Sequence, residues 1–357
     1  MRSVLMREFK GIRRTRVVGQ DEKEAPLEFE KLNILIGPNN SGKSTVLEAL
    51  ALLPHPRAIP EPLMGMRRID LISDFLHGDA SGACLIYRYY GTARITYLRD
   101  HWKGKEIEIV LRKELGPLEV RTLIDGKNTE GLGPKGIAKV LGVDPGDQLH
   151  YSVMLILGER EYRGQLSGRR GYLSSLWAKM FDDRDLWRLI ERRNAHISVA
   201  REVISPTINE RLVELVPRKD GLSIRKEFPD GSSAYIRVSD LGSGVEKSLA
   251  AMALLEAVKP KLVLWDDFEA SMHPALLKAT LSWLARKEWQ TVLATHSIDV
   301  LYSLLDLDRE ARERTRVMML QRTPDDVLLC RPLTVDELED LFLLKQDPRL
   351  VAGALGL

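Results

Sequence analysis

A glycine-rich segment at residues 37–45 carries the residue types that bind phosphate. In NILIGPNNSGKST, two glycines separated by four residues are followed by Lys43 and Ser44. Glycines let the backbone wrap closely around phosphate oxygens, and N–H groups at a helix start donate to them. The lysine would reach the β- and γ-phosphates and the serine hydroxyl would bind Mg²⁺, so we expect ATP and Mg²⁺ as cofactors. This phosphate loop consists of Gly37, Pro38, Asn39, Asn40, Ser41, Gly42, Lys43, Ser44 and Thr45.

Three carboxylates follow an apolar run at residues 262–274, which read LVLWDDFEASMHP. Asp266 comes directly after the run, where a carboxylate can hold Mg²⁺, often through water. Asp267 follows it, where a carboxylate can polarise the attacking water. The other interpretation of Asp266, Asp267 and Glu269 is an acidic loop at a strand end that faces solvent.

Two more segments point to the same chemistry. LGSGVEKS starts an amphipathic helix, and Ser243 and Gly244 at its N-terminus form a second place where backbone amides can bind an anion. TVLATHSIDVL is another buried strand, and it ends at His296. A lone histidine is usually a polar residue with its hydrogen bonds satisfied, but its position at a strand end beside a phosphate site favours a role in the chemistry.

The elements that must position these residues alternate between strand and helix patterns. The apolar LNILI precedes the phosphate loop, and a helix is expected from Lys43 to about Leu53. A β-rich region follows, with CLIYRYY, ARITYL, EIEIVLR and LEVRTLI as strands. Residues 162–216 are expected to be helical, LSIRKEFPDGSSAYIRV to be a hairpin, and Thr334 to Glu337 to be a capping box. We expect one α/β core with two insertions, divided into residues 1–150, 151–230 and 231–357.

The composition says more about the cellular compartment of the protein than about its binding partner. The 53 basic and 51 acidic residues nearly balance, so net charge indicates no particular partner. Seven scattered histidines and two cysteines, Cys84 and Cys330, offer neither zinc spacing nor a disulfide framework. The N-terminus does not read as a signal peptide, and no apolar run approaches the roughly 20 residues that span a bilayer. A cytoplasmic protein that does not associate with membranes is therefore expected.

The order of these segments resembles the head of an ABC-class ATPase. GPNNSGKST, LGSGVEKS, DDFEASMHP and ATHS are similar to the RecF/SMC/OLD branch, over the first 50 residues and residues 239–305. The resemblance implies an α/β fold of the P-loop NTPase class (an ABC ATPase head). Such a head has a mostly parallel core sheet, an antiparallel β subdomain and a helical lobe.

The resemblance also assigns roles to individual residues. It gives Lys43, Asp267 and His296 catalytic roles, and it makes Ser44 and Asp266 the metal ligands. Asp267 stands where the family usually has a glutamate, and His296 stands at the switch histidine. Ser243 and Gly244 would contact the γ-phosphate bound by a second copy. The implied partner is a homodimer that forms on ATP binding and separates after hydrolysis.

Several positions depart from the family pattern. Asp267 is one methylene shorter than glutamate, which predicts slow hydrolysis because a misplacement of about 1 Å can cost about 10²-fold. Phe268 replaces the usual proline, and Glu269 is expected to point into the dimer interface. The Q-loop glutamine is not identified; the candidates for its region are Gln148, Gln165, His77 and Asp79.

The resemblance favours an ATP-gated dimeric switch in DNA-related work, either repair or anti-phage defence. A separate effector such as a nuclease is expected, because Asp306 and Asp308 read as a helix-end acidic cluster and not as a TOPRIM nuclease motif. The alternatives are the nucleotide-binding subunit of a membrane transporter and a nucleotide-binding structural protein without turnover.

Double-stranded DNA is a possible ligand of two basic regions. The first 18 residues hold six basic side chains and one acidic, and residues 160–201 hold ten basic and five acidic. Basic side chains with interleaved aromatic ones fit phosphate contact and base stacking. The other interpretation of residues 160–201 is a solvated helical face whose aromatic residues lie in the core. The aromatic residues concerned are Tyr162, Tyr172, Trp177 and Trp187.

Overall fold

A computed structural model describes residues 1–20, 23–98, 104–157, 180, 183–218 and 221–351. Within them, one sheet of 13 strands forms the centre, in the order β8-β7-β6-β5-β1-β2-β16-β15-β4-β14-β13-β9, with β3 paired to β1. Its strands are β1 (Ser3–Phe9), β2 (Ile12–Val17), β3 (Leu27–Glu28), β4 (Leu32–Ile36), β5 (Gly91–Leu98), β6 (Glu106–Lys113), β7 (Glu119–Ile124), β8 (Lys127–Asn128), β9 (Val153–Ile156), β13 (Leu262–Trp265), β14 (Gln290–Ala294), β15 (Thr315–Arg322) and β16 (Val327–Leu333).

The half of the sheet that carries the candidate site is parallel. Strands β9, β13, β14, β4 and β15 all run in one direction. Every residue of β4, β9, β13 and β14 is buried, as both faces of a parallel sheet usually are, which explains their uninterrupted apolar sequences. The loops after β4, β13 and β14 therefore all start at the carboxyl ends of parallel strands, on the same side of the sheet. The predicted mostly parallel core is confirmed.

The other half is an antiparallel meander from β5 to β8, joined to the core through β1. The predicted β-rich region thus extends the central sheet, because β5 pairs directly with β1. The prediction of a strand at CLIYRYY was wrong, because the chain forms two 3-10 turns there, Ala83–Leu85 and Tyr87–Tyr89. Arg88 and Tyr89 have φ angles of 56° and 64°, and this left-handed backbone cannot continue a strand.

Helices cover the parallel half of the sheet. The helix after the phosphate loop ends at Ala51, two residues before the predicted end. The predicted capping box is confirmed, since Thr334 accepts from the Glu337 N–H and Glu337 accepts from the Thr334 N–H. No described helix has the length and apolar character needed to cross a membrane. The α-helices outside the insertion are Lys43–Ala51, Arg68–Asp70, Pro134–Leu141, Asp147–His150, Ser243–Val258, Pro274–Ala285, Ile298–Leu304, Arg309–Glu313, Val335–Leu343 and Pro348–Val351, and Leu71–Leu76 is a π-helix.

The insertion before residue 243 combines helices with a small sheet. Its helices are Arg184–Arg192, Ala195–Val199 and Ser205–Ile208, with a π-helical stretch at Ala200–Ile204. The sheet has the order β10-β11-β12, with β10 (Leu212–Arg218), β11 (Gly221–Glu227) and β12 (Ser233–Arg237) all antiparallel. The predicted hairpin is confirmed as β11 and β12. The prediction of helix to residue 216 was wrong, because β10 begins at Leu212 and its apolar side chains pair with β11.

Candidate functional site

The phosphate loop follows β4 directly and needs both of its glycines. Gly37 has φ 147°, and a Cβ there would lie 2.2 Å from the Leu320 carbonyl oxygen. Gly42 has φ 99° and precedes the first helical residue. L-residues with a Cβ rarely adopt either conformation, so these two positions favour glycine for backbone reasons. The loop is thereby held against β15, and it leads directly into the helix Lys43–Ala51.

Lys43 is buried at the start of this helix, and its ammonium group lies over the loop. Its Nζ donates to the carbonyl oxygens of Gly37 at 2.8 Å and Pro38 at 3.0 Å. Pro38, Asn39 and Asn40 are exposed around it. A positive charge held over a glycine-containing loop at a helix start is an arrangement that suits a polyphosphate.

Ser44 and Asp266 meet across the gap between the two strand ends. Ser44 Oγ donates to Asp266 Oδ2 at 2.9 Å, although 222 residues separate them in sequence. Asp266 is buried, and its own N–H donates to the Ile156 carbonyl oxygen on β9. A hydroxyl and one carboxylate form the oxygen donor set that Mg²⁺ prefers when substrate phosphates and water complete its shell. No group of three His, Cys, Asp or Glu side chains among the described residues offers a metal site of another kind.

Asp267 lies at a sharp turn directly after Asp266. Its φ angle is 48°, a left-handed conformation that aspartate tolerates better than most residues. Its N–H donates to Asp266 Oδ1 at 3.2 Å, and its carbonyl oxygen accepts from Lys247 Nζ at 3.3 Å. Lys247 is fully buried on the helix Ser243–Val258. Both the N–H and the carbonyl group of Asp267 are thus held by hydrogen bonds, while the residue remains partly exposed at the end of β13.

The expectation that Glu269 points into a dimer interface stays a prediction. Within the chain, Glu269 lies at the end of β14, where its Oε1 accepts from the His296 N–H at 2.8 Å. The reason is the packing of Phe268, which is buried against Trp265 with ring centroids 5.1 Å apart. Phe268 draws the loop towards β14, and this brings Glu269 to the end of that strand. His296 itself is exposed, directly after the buried Thr295.

The start of the helix Ser243–Val258 is packed against the acidic loop. A Cβ at Gly244 would lie 2.1 Å from the Ser271 carbonyl oxygen, so only glycine permits this approach. Ser243 is exposed beside it. The Gly-Ser-Gly sequence therefore has a packing reason at Gly244, and it leaves the hydroxyl of Ser243 at the surface.

The Q-loop candidates have other contacts or cannot be placed. His77 Nε2 lies 2.9 Å from Glu48 Oε1 on the phosphate-loop helix. Asp79 accepts from the hydroxyl and N–H of Ser81 and from the N–H of Cys84. Burial raises the pKa of Asp79, but these bonds outweigh it and hold the pKa below its usual value. Gln165 and the side chain of Gln148 lie outside the described residues.

The comparisons with known proteins agree with this geometry. Residues 32–97 and 159–302 match the family described as "AAA domain, putative AbiEii toxin, Type IV TA system", and these ranges make up more than half of the chain. The chain belongs to this AAA-domain family. The two matched ranges contain the phosphate loop, both aspartates, Ser243 and His296. No curated protein matches this AAA-domain protein.

Solved structures place the same AAA-domain protein among P-loop ATPase heads by fold. An SMC head bound to the C-terminal winged-helix domain of ScpA is 15% identical, with a TM-score of 0.57 over 94% of this chain and 98% of that one. A Pyrococcus furiosus SMC head, also bound to a ScpA domain, is 14% identical, with a TM-score of 0.54 over 96% and 98%. The Thermotoga maritima SMC head is 16% identical, with a TM-score of 0.50 over 94% and 100%.

These likenesses confirm the predicted ATPase-head fold of this AAA-domain protein. Placement within the OLD branch stays a prediction, as does the division at residues 150 and 230. Asp306 pairs with Lys278 at 2.9 Å and Asp308 caps the helix Arg309–Glu313, which agrees with a helix-end acidic cluster.

Proposed function

We propose that this protein binds and hydrolyses ATP with Mg²⁺ and uses the cycle as a molecular switch. The hydrogen bond between Ser44 and Asp266, beside the Lys43 ammonium group, carries the proposal. It joins the phosphate loop to the strand-end carboxylate, to which the resemblance to ABC ATPase heads assigns phosphate binding and metal binding. Bound Mg²⁺ would neutralise charge that develops on the phosphates.

Each residue of the site then has a separate role. The phosphate loop and Lys43 bind the β- and γ-phosphates, and Ser44 and Asp266 hold the metal ion. Asp267 accepts a proton from, or orients, the attacking water at the γ-phosphate. His296 lies at the end of the neighbouring strand and contacts the γ-phosphate side of the site. The shorter side chain of Asp267 supports slow turnover.

We propose further that two copies enclose the nucleotide. Ser243 is exposed at a helix start whose amides suit an anion, and Gly244 anchors this start to the acidic loop of the same chain. A second copy that offers its Ser243 to the γ-phosphate would complete the site and make dimerisation depend on ATP.

Mass in solution tests this proposal directly. Asp267→Asn keeps the size of the side chain but removes its basicity, so ATP should persist and the variant should double in mass when ATP and Mg²⁺ are added. The matched control, Asp267→Asn with Ser243→Arg, should bind ATP with similar affinity and keep the monomer mass. An unchanged mass of the first variant at saturating ATP would rule out the enclosed-nucleotide mechanism.

A row of arginines supports a nucleic-acid ligand, which is the second part of the proposal. Arg14 on β2, Arg7 on β1 and Arg94 on β5 are direct cross-strand partners, and through Val110 on β6 the row reaches Arg121 on β7. Strands lie about 4.8 Å apart, so this arginine row spans about 19 Å of one sheet face.

Nearby acidic side chains neutralise only part of the positive charge of the arginine row. Arg7 pairs with Glu24 at 2.6 Å and Arg94 with Glu108 at 3.2 Å. Arg14 and Arg121 form no ion pair with any other described residue, and like charges opposite each other cost stability. A polyanion such as the backbone of double-stranded DNA would relieve this repulsion. Of the aromatic residues predicted to stack on bases, Trp187 is buried, and Tyr162, Tyr172 and Trp177 lie outside the described residues.

Removing the two unpaired arginines should weaken DNA binding in a salt-dependent way. We expect Arg14→Gln and Arg121→Gln each to reduce the slope of log K against log salt by about 0.9, the value for one lost phosphate contact. Titrations of double-stranded DNA between low and moderate salt measure this slope. The exposed Arg309→Gln is the control and should leave it unchanged. Equal slopes for all three variants would exclude the arginine row as the DNA surface.

We also propose a separate effector, such as a nuclease, in anti-phage defence or DNA repair. The family description names a toxin of a toxin–antitoxin system, which supports a defence role. Two of the similar SMC heads are bound to a ScpA domain, which supports the capacity of this fold to bind a second protein. Pull-down with the Asp267→Asn variant, with and without ATP, would test for a partner that prefers one nucleotide state.

A further inference from the structure

The peptide of His296 is held from both sides by charged side chains. Its N–H donates to Glu269 Oε1 at 2.8 Å, and its carbonyl oxygen accepts from Arg349 Nη1 at 2.8 Å. The two partners come from distant parts of the chain, the acidic loop after β13 and the helix Pro348–Val351. Hydrogen bonds to charged groups are stronger than neutral ones. Together these residues form a clamp on the backbone of His296.

The Glu269 side of the clamp is rigidly connected to Asp267. The Ala270 N–H donates to the Asp267 carbonyl oxygen at 3.0 Å, and the buried Phe268 donates its N–H to Ala294 on β14 at 3.2 Å. A displacement of Glu269 would therefore move both Asp267 and His296. The clamp thus connects the backbone of Asp267 to that of His296 through the acidic loop.

Stability alone does not explain the placement of Glu269. Its second carboxylate oxygen, Oε2, is buried and accepts no hydrogen bond from any described residue. Burying an acceptor without a partner costs free energy. A carboxylate in such a position has a reason other than stability, and among the described residues its hydrogen bond is with the His296 N–H.

The Arg349 side of the clamp is aimed by Asp347. Arg349 Nε and Nη2 donate to the two Asp347 oxygens at 3.0 and 2.6 Å, and this leaves Nη1 directed at His296. Hydrogen bonds from Arg349 hold the pKa of Asp347 below its ordinary value and raise the pKa of Arg349. Both groups are thus charged at neutral pH, and the planar guanidinium has little freedom to rotate.

We propose that Glu269 and Arg349 are positioning residues for His296 and that, through Arg349, the C-terminal segment sets the rate of ATP turnover. This inference rests on the proposed ATPase function. Neither residue reaches the phosphate loop through a contact that we observe, so their effect is on the geometry of His296 and Asp267 and not on nucleotide affinity.

Steady-state ATP hydrolysis separates positioning from binding. Glu269→Ala and Arg349→Ala should each lower kcat by about 10-fold or more, because misplacement of about 1 Å can cost up to about 10²-fold. KM for ATP should change by less than about twofold, since Lys43 and the phosphate loop are untouched. Glu269→Gln keeps an oxygen that accepts the His296 N–H and should retain most of the wild-type kcat.

A second measurement follows the clamp without relying on turnover. Hydrogen exchange of the His296 amide, resolved by NMR, should be faster in Glu269→Ala and close to wild type in Glu269→Gln. Arg309→Ala is the matched control for Arg349→Ala, since Arg309 is an exposed arginine whose ion pair, within the described part of the chain, is with Glu313 on its own helix at 2.9 Å. This control should leave both kcat and the exchange rate unchanged.

The outcomes distinguish the inference from the function on which it rests. Wild-type kcat in Glu269→Ala and Arg349→Ala would overturn the inference, as would equal losses in Glu269→Ala and Glu269→Gln. A wild-type protein that does not hydrolyse ATP would contradict the proposed function instead. Exchange of the His296 amide would then decide whether the clamp exists, and an unchanged rate in Glu269→Ala would refute it.

Discussion

Replacing Lys43 with alanine is expected to reduce ATP turnover by about 10²–10³-fold, the usual cost of removing one preorganised group that stabilises charge in a transition state. The lysine is buried, and its Nζ is already placed over the phosphate loop by the carbonyl oxygens of Gly37 and Pro38. No large rearrangement is needed to bring it to the phosphates. Steady-state hydrolysis measures kcat, and equilibrium titration with Mg²⁺ and ATP measures the affinity.

A surface lysine provides the control for this variant. Lys278 pairs with Asp306 at 2.9 Å, and both side chains are about half exposed. Lys278→Ala should hydrolyse ATP at the wild-type rate. If Lys43→Ala also kept turnover within about threefold of wild type, Lys43 would have no role at the transition state, and the functional assignment of the phosphate loop would be wrong.

Lys10→Met is expected to lower the free energy of unfolding by about 3 kcal/mol at neutral pH, the lower end of the cost of breaking a buried ion pair. Lys10 lies in the turn between β1 and β2 and contacts the buried Glu48 of the phosphate-loop helix. His77 Nε2 lies 2.9 Å from the other oxygen of Glu48, so one partner remains in the variant. Denaturation in urea measures the loss, and Lys278→Met, at an exposed pair, should cost less than about 1 kcal/mol.

The contacts of Glu48 with Lys10 and His77 also predict how the loss of unfolding free energy in Lys10→Met depends on pH. Burial raises the pKa of Glu48, but Lys10 and His77 outweigh it and hold the pKa below its ordinary value of 4.5. A carboxyl group whose pKa is lower in the folded state stabilises the fold above its unfolded-state value. That contribution is lost as pH falls through the folded-state pKa. The gap between wild type and Lys10→Met should therefore narrow below pH 4.5, and a constant gap would show that Glu48 is not the responsible group.

The parts of the fold that the sequence predicted well are those whose signals are local. The phosphate loop depends on the conformations of Gly37 and Gly42, and the helix Val335–Leu343 depends on a capping box within four residues. Strands β4 and β13 were recognisable because burial on both faces makes them apolar throughout. The segment CLIYRYY was assigned wrongly because its composition favours a strand, while Arg88 and Tyr89 adopt a left-handed backbone that composition does not encode.

The parts of the site that the sequence did not predict depend on contacts between distant segments. Glu269 reaches His296 because Phe268 is buried against Trp265, and this packing partner could not be known from the loop sequence. Arg349 lies 53 residues after His296, in a segment without a motif. The arginine row exists only in the register of β2, β1, β5 and β7.

The two outer strands of the large sheet also affect how the protein meets other chains. One edge is β8, which has only the exposed Lys127 and Asn128, and the other is β9, whose four residues are all buried. A short edge with a lysine, or a covered edge, offers no row of free backbone groups to a foreign strand. We therefore expect the described sheet to resist edge-to-edge aggregation, even though thirteen strands lie side by side.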